Sequence, residues 1–134
     1  MQKLDNPPDF AKVILQLFEQ TGWTVIPAPS EASGYDVELQ RQDECVAVQI
    51  RTHRAKVHAG QLERFIDFLE QPAAARFTKG FLISTSGFTP SVFTYMRTEE
   101  VVDVALASFR DNQLIWEDGE IPPPPPKPEV TYIG

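Results

Sequence analysis

Residues 35–51 read YDVELQRQDECVAVQIR, two alternating runs joined by a polar turn. In YDVEL and again in CVAVQIR, neighbouring positions trade apolar and other side chains with period two, the pattern of half-buried strands. QRQDE turns the chain between them, so the pair reads as a hairpin. In its second strand Val46, Val48 and Ile50 share one face, and Cys45, Ala47, Gln49 and Arg51 share the other. The first face is core. The second passes from small to polar along its length, as a strand does where it meets a cleft.

Working outward, Phe10, Val13, Ile14, Leu17 and Phe18 recur at helical spacing before the hairpin. Asn6, Pro7, Pro8 and Asp9 suit the start of that helix, and Gly22 suits its end. WTVIPA is a short strand that Pro27 and Pro29 mark as an edge or an exit. After the hairpin, Leu62, Phe65, Ile66 and Leu69 form one stripe of a helix over about 58–71. KGFLISTS is short and apolar enough to be a central strand. Thr89 and Pro90 open a third helix. VVDVALAS then predicts a strand, and QLIWED a further short one. The order helix, three strands, helix, strand, helix, strand indicates an α/β domain with a mixed central β-sheet flanked by helices. Residues 1–118 are expected to form this domain. Residues 119–134, which include IPPPPPKPEV, are expected to be a solvated, extended proline-rich tail.

The chain has 134 residues and a net charge of −7 at pH 7, with 42% hydrophobic and 23% charged residues. That length supports one core but not two. No apolar run approaches the roughly 20 residues of a membrane helix, so no membrane partner is expected. The start, MQKLDNPPDF, lacks a secretion signal, and a cytoplasmic protein is expected. A single cysteine, Cys45, excludes an internal disulfide or a cysteine-rich zinc site, and within an apolar strand it reads as a small hydrophobe. The overall negative field repels phosphates, so any affinity for nucleic acid must come from a local patch. One such patch follows the hairpin: RTHRAKVH gathers Arg51, His53, Arg54, Lys56 and His58.

Asp36 and Glu38 are two apart on one strand, and Gln49 and Arg51 are two apart on the next. With the hairpin in register, oxygen donors stand beside a guanidinium. Mg²⁺ takes such oxygen ligands, often only one or two carboxylates, and completes its shell with water and substrate phosphate. A surface cross-strand ion pair between Asp36 and Arg51 is the structural alternative.

The ordered set LFEQTGW, GYDVEL, VAVQIR and KGFLISTSGFTPSVFTYM resembles the Mrr-like branch of the PD-(D/E)XK restriction-endonuclease superfamily across roughly residues 10–105. The resemblance implies a restriction-endonuclease-like fold, double-stranded DNA as substrate and Mg²⁺-dependent phosphodiester hydrolysis. It places Asp36 on the metal-binding aspartate and Gln49 on the second motif position, where glutamine is typical of this branch. It places Arg51 where the family carries its catalytic lysine, and Glu19 on an auxiliary acidic position of some members. It also makes Arg54 and Lys56 candidates for contact with the DNA backbone. Arg51 is a departure from the pattern. Arginine keeps its proton and cannot serve as a base, although it can stabilise charge.

That departure, the acidic composition and the proline-rich end support a rival expectation. The domain would be a catalytically inactive nuclease-like scaffold, engaging a protein partner through its acidic surface and proline-rich tail. STSGFTP reads either as a phosphate-holding loop or as a strand exit and helix cap. His53 and His58 read as polar loop residues, and Trp23 and Trp116 as packing residues.

Overall fold

A computed structural model describes residues 10–30, 33–101 and 103–117. The expected Asn6 cap and the proline-rich tail lie outside them. The elements run α1 (Phe10–Gln20), β1 (Thr24–Pro27), β2 (Val37–Arg41), β3 (Glu44–Arg51), α2 (Ala59–Leu69), a 3₁₀ turn (Pro72–Ala74), β4 (Lys79–Ser84), α3 (Pro90–Thr98), β5 (Val104–Arg110) and β6 (Gln113–Trp116). The strands form one mixed sheet in the order β1-β2-β3-β4-β5-β6. β3, β4 and β5 are parallel, while β1, β2 and β6 join antiparallel. Among the described residues no helix is long and apolar enough to cross a membrane.

The alternation of β3 sorts two cores. Val46 and Val48 join Ile14 and Phe18 of α1 on one face, with Phe81, Ile83 and Phe109 from the parallel strands. Ala47 faces the other way, into a core formed by Leu62, Phe65, Leu82, Val92, Met96 and Leu106 under α2 and α3. β4 is covered on both sides, which is why KGFLIS is apolar almost throughout. Gly80 lets α2 approach β4 closely: a Cβ there would stand 2.8 Å from both Leu69 and Phe65.

The turns follow local chemistry. Asp111 and Asn112 both take positive φ between β5 and β6, the backbone of a tight hairpin turn that these residues tolerate well. His58 is the N-cap of α2: its Nδ1 accepts from the Gly60 N–H, and the Gln61 side chain accepts from the His58 N–H. A residue expected to be a polar loop position is therefore a helix start. Trp23 and Trp116 both pack edge-on against Phe81, as expected of packing residues.

Candidate functional site

The hairpin register pairs Val37 with Val48, and Glu38 with Ala47. Continued by one residue, that register sets Asp36 against Gln49. The ladder breaks there. The Asp36 N–H donates to the Val48 carbonyl at 2.8 Å, one residue out of step with the β2–β3 pairing, while on the β1 side the Ala28 N–H donates to the Asp36 carbonyl at 3.0 Å, in register. In place of a backbone carbonyl, the Asp36 carboxylate accepts the Ile50 N–H, Oδ2 to N 2.7 Å. The acid is thus held against the backbone between Gln49 and Arg51 and remains exposed. Gln49 donates through Nε2 to the Gly34 carbonyl at 3.3 Å, which leaves its Oε1 as an acceptor. Arg51 is half-buried, and its Nε is fully enclosed without a hydrogen-bond partner.

Glu38 does not join this group. It is 6% exposed, with Oε1 ion-paired to Arg76 Nη2 at 3.1 Å and Oε2 accepting from Gln40 Nε2 at 2.6 Å and from Cys45 Sγ at 3.0 Å. The expected partnership of Asp36 and Glu38 is therefore corrected, because a guanidinium from the segment before β4 claims the second carboxylate. Cys45 is also more than a small hydrophobe. Burial, and then the hydrogen bond to Glu38, push its thiol up to about 11. Glu19, the auxiliary acid implied by the resemblance, is exposed on α1.

The basic run leaves the end of β3 and is tied to the loop after β4. Val57 and Phe88 form a parallel bridge, Val57 N–H donates to Gly87 O at 2.9 Å, and Thr89 N–H donates to Val57 O at 2.9 Å. The Ser86 hydroxyl donates to the His53 carbonyl. Arg54 and Lys56 are exposed and have no ion-pair partner among the described residues. Across segments 34–36, 49–58 and 84–89 the permanent charges are one acid, Asp36, and three cations, Arg51, Arg54 and Lys56. These three segments thus carry a net positive charge on an acidic chain, at the carboxyl ends of the parallel strands where open α/β sheets bind ligands.

The STSGFTP loop serves structure. The buried Ser84 hydroxyl accepts from the Ser86 and Gly87 N–H groups at 3.0 and 2.9 Å, so these donors are already engaged within the turn. A cavity of about 320 Å³ opens at the opposite end of the sheet, with Glu70, Glu99, Glu100 and Asp103 in its lining. That acidic lining repels a phosphodiester.

Among the described residues no three His, Cys, Asp or Glu side chains gather to hold a metal ion. A divalent ion that keeps several waters needs fewer protein ligands, and the candidates here are the Asp36 carboxylate and the Gln49 Oε1.

The family model described as a restriction endonuclease, of Mrr type, matches residues 2–109. No curated protein matches the chain significantly in sequence. Among solved structures it is similar to AF1548, a protein of unknown function, at 13% identity and a TM-score of 0.61, over 75% of this chain and 57% of that one. It is also similar to the MspJI restriction endonuclease in complex with a 27-mer oligonucleotide, at 15% identity and a TM-score of 0.50, over 74% of this chain and 24% of that one. The chain thus spans little more than half of the first structure and a quarter of the second, and both likenesses concern the fold. With the six-stranded mixed sheet between helices and a match over residues 2–109, the chain belongs to the Mrr-type restriction-endonuclease family.

Proposed function

We propose that this domain, residues 1–118 in our reading, binds double-stranded DNA and hydrolyses its phosphodiester backbone with a divalent ion, Mg²⁺. The observation that carries the proposal is the hydrogen bond of the Asp36 carboxylate to the Ile50 N–H, between Gln49 and Arg51 at one end of the hairpin, from which Arg54 and Lys56, cations without an ion-pair partner among the described residues, continue.

In this reading the Asp36 carboxylate and the Gln49 Oε1 hold the ion. When bound, the ion supplies charge neutralisation and polarisation of a phosphate oxygen. Asp36 is oriented by the Ile50 N–H and Gln49 by the Gly34 carbonyl, so neither donor has to be ordered at the moment of binding. Arg51 offers a permanent positive charge and planar N–H donors to the oxygens of the phosphorus under attack. Arginine cannot take the proton of the attacking water. That proton passes to solvent or to a phosphate oxygen. Arg54 and Lys56 fix the DNA backbone in place without reading sequence.

Arg51 at the family's lysine position favours a second reading, a nuclease fold that no longer cuts and serves as a scaffold. Nicking of supercoiled plasmid in Mg²⁺ or Mn²⁺ by wild type and Arg51→Lys separates the two. Cleavage by wild type supports the enzyme. Cleavage gained only by Arg51→Lys identifies a disabled site, and absence of both cleavage and DNA binding at low salt supports the scaffold.

A further inference from the structure

Asp36 is bracketed by two residues that share one partner. Arg76 Nη2 lies 3.0 Å from the Tyr35 hydroxyl and 3.1 Å from Glu38 Oε1. Tyr35 comes immediately before Asp36, and Glu38 two residues after it. The Arg76 guanidinium also stands 4.4 Å from the centroid of the Phe77 ring, which packs edge-on against Tyr35 at 5.1 Å. Tyr35 stacks on Phe68 of α2 at 5.6 Å. The Asp36 backbone, one step out of the ladder, is therefore restrained on both sides by a cation delivered from the other end of the α2–β4 connection. A bulged residue lacks the regular pairing that would otherwise fix its side chain, so its neighbours decide where its carboxylate points.

We infer that Arg76 is a positioning residue for Asp36, clamping Tyr35 and Glu38 so that the carboxylate of the proposed metal site keeps its place at the end of β3. The inference rests on the proposed metal-dependent function. Arg76 also keeps Glu38 paired. Without it a buried carboxylate two residues along the strand from Asp36 would be left without its cation and free to draw a metal ion out of place. Outer contacts of this kind commonly change metal affinity by about 10- to 100-fold when removed.

The test is Mn²⁺ affinity, read from the electron paramagnetic resonance signal of free Mn²⁺, on the whole chain without DNA. Thermal melts run alongside show that each variant is folded at the assay temperature. Arg76→Gln is expected to weaken Mn²⁺ binding by about tenfold, and Arg76→Lys, which keeps the charge, to restore part of it. Tyr35→Phe, which removes only the hydroxyl, keeps the ring packing intact and is expected to weaken binding in the same direction. In nicking assays the Mg²⁺ concentration for half-maximal rate rises in these variants while the maximal rate is retained. If melting temperatures fall but Mn²⁺ affinity of the folded protein is unchanged, while Asp36→Ala abolishes binding, Arg76 is only structural; the inference is overturned and the metal site stands. If Asp36→Ala binds Mn²⁺ as wild type does, the metal site itself is wrong and the inference falls with it.

Discussion

Glu38 lies on the strand that leads to the candidate site but belongs to a different network. Burial alone raises its carboxyl, yet hydrogen bonds from Cys45, Gln40 and Arg76 hold it below its ordinary value of 4.5. A depressed folded value contributes stability that is present above 4.5 and is lost as pH falls through the folded value. Urea unfolding should therefore show wild-type stability declining as pH drops below that point, and Glu38→Gln should be less stable at neutral pH with a flatter acid limb. An identical acid limb in the variant would contradict the assignment. Cys45 gives a second residue-level expectation. With its thiol pushed up to about 11, alkylation at pH 8 should be slow in the folded protein and fast after unfolding. Neither behaviour was legible in the sequence. Arg76 is 38 residues from Glu38, and an alternating strand pattern gives a side chain's face without naming its partner. Asp36 could be set beside the Gln49–Arg51 stretch because the two lie on neighbouring strands of one hairpin; the bond from the Ile50 N–H to its carboxylate, made where the register breaks, could not be read.

At the scale of elements, the hairpin and the covered central strand were readable because alternation and a continuous apolar run have direct structural meanings. The break of the ladder at Asp36 was not, since a single out-of-step N–H leaves no trace in the residue pattern. The 3₁₀ turn at Pro72–Ala74 was likewise missed, and the expected α2 stripe over 58–71 shortened to Ala59–Leu69 with His58 as its cap. Two glycines separate crowding from backbone strain. Gly34 has φ +94, and a Cβ there would stand 2.7 Å from the Phe68 ring; Gly87 has φ +95 with no heavy atom within 4 Å of its would-be Cβ. Gly87→Ala should cost about 1–2 kcal/mol from conformation alone. Gly34→Ala should cost more, by about 1–3 kcal/mol of overpacking, and should disturb the carbonyl that orients Gln49. Equal losses in urea melts would show that Phe68 moves aside. Phe65→Ala, which opens a cavity under α2 against β4, should cost about 3–5 kcal/mol in the same measurement.

At the scale of the whole molecule, charge is distributed unevenly. The chain carries −7 overall, yet segments 34–36, 49–58 and 84–89 hold Arg51, Arg54 and Lys56 with one acid, Asp36, while the cavity at the opposite end of the sheet has four acids in its lining. DNA binding in this account depends on a small local patch, so it should weaken steeply with salt, and Arg54→Ala with Lys56→Ala should lower both the affinity and the salt slope. The fold-level expectation could be drawn before any geometry because the order of helices and strands and the spacing of motifs survive large sequence change. Activity is a finer matter, decided by a few side chains at the end of one hairpin. The most direct measurement is the rate at which wild type and Asp36→Ala nick supercoiled plasmid in Mg²⁺ or Mn²⁺. Wild type is expected to nick in a divalent-ion-dependent way and folded Asp36→Ala to lose that activity; nicking undiminished in Asp36→Ala would contradict a metal-binding role for Asp36.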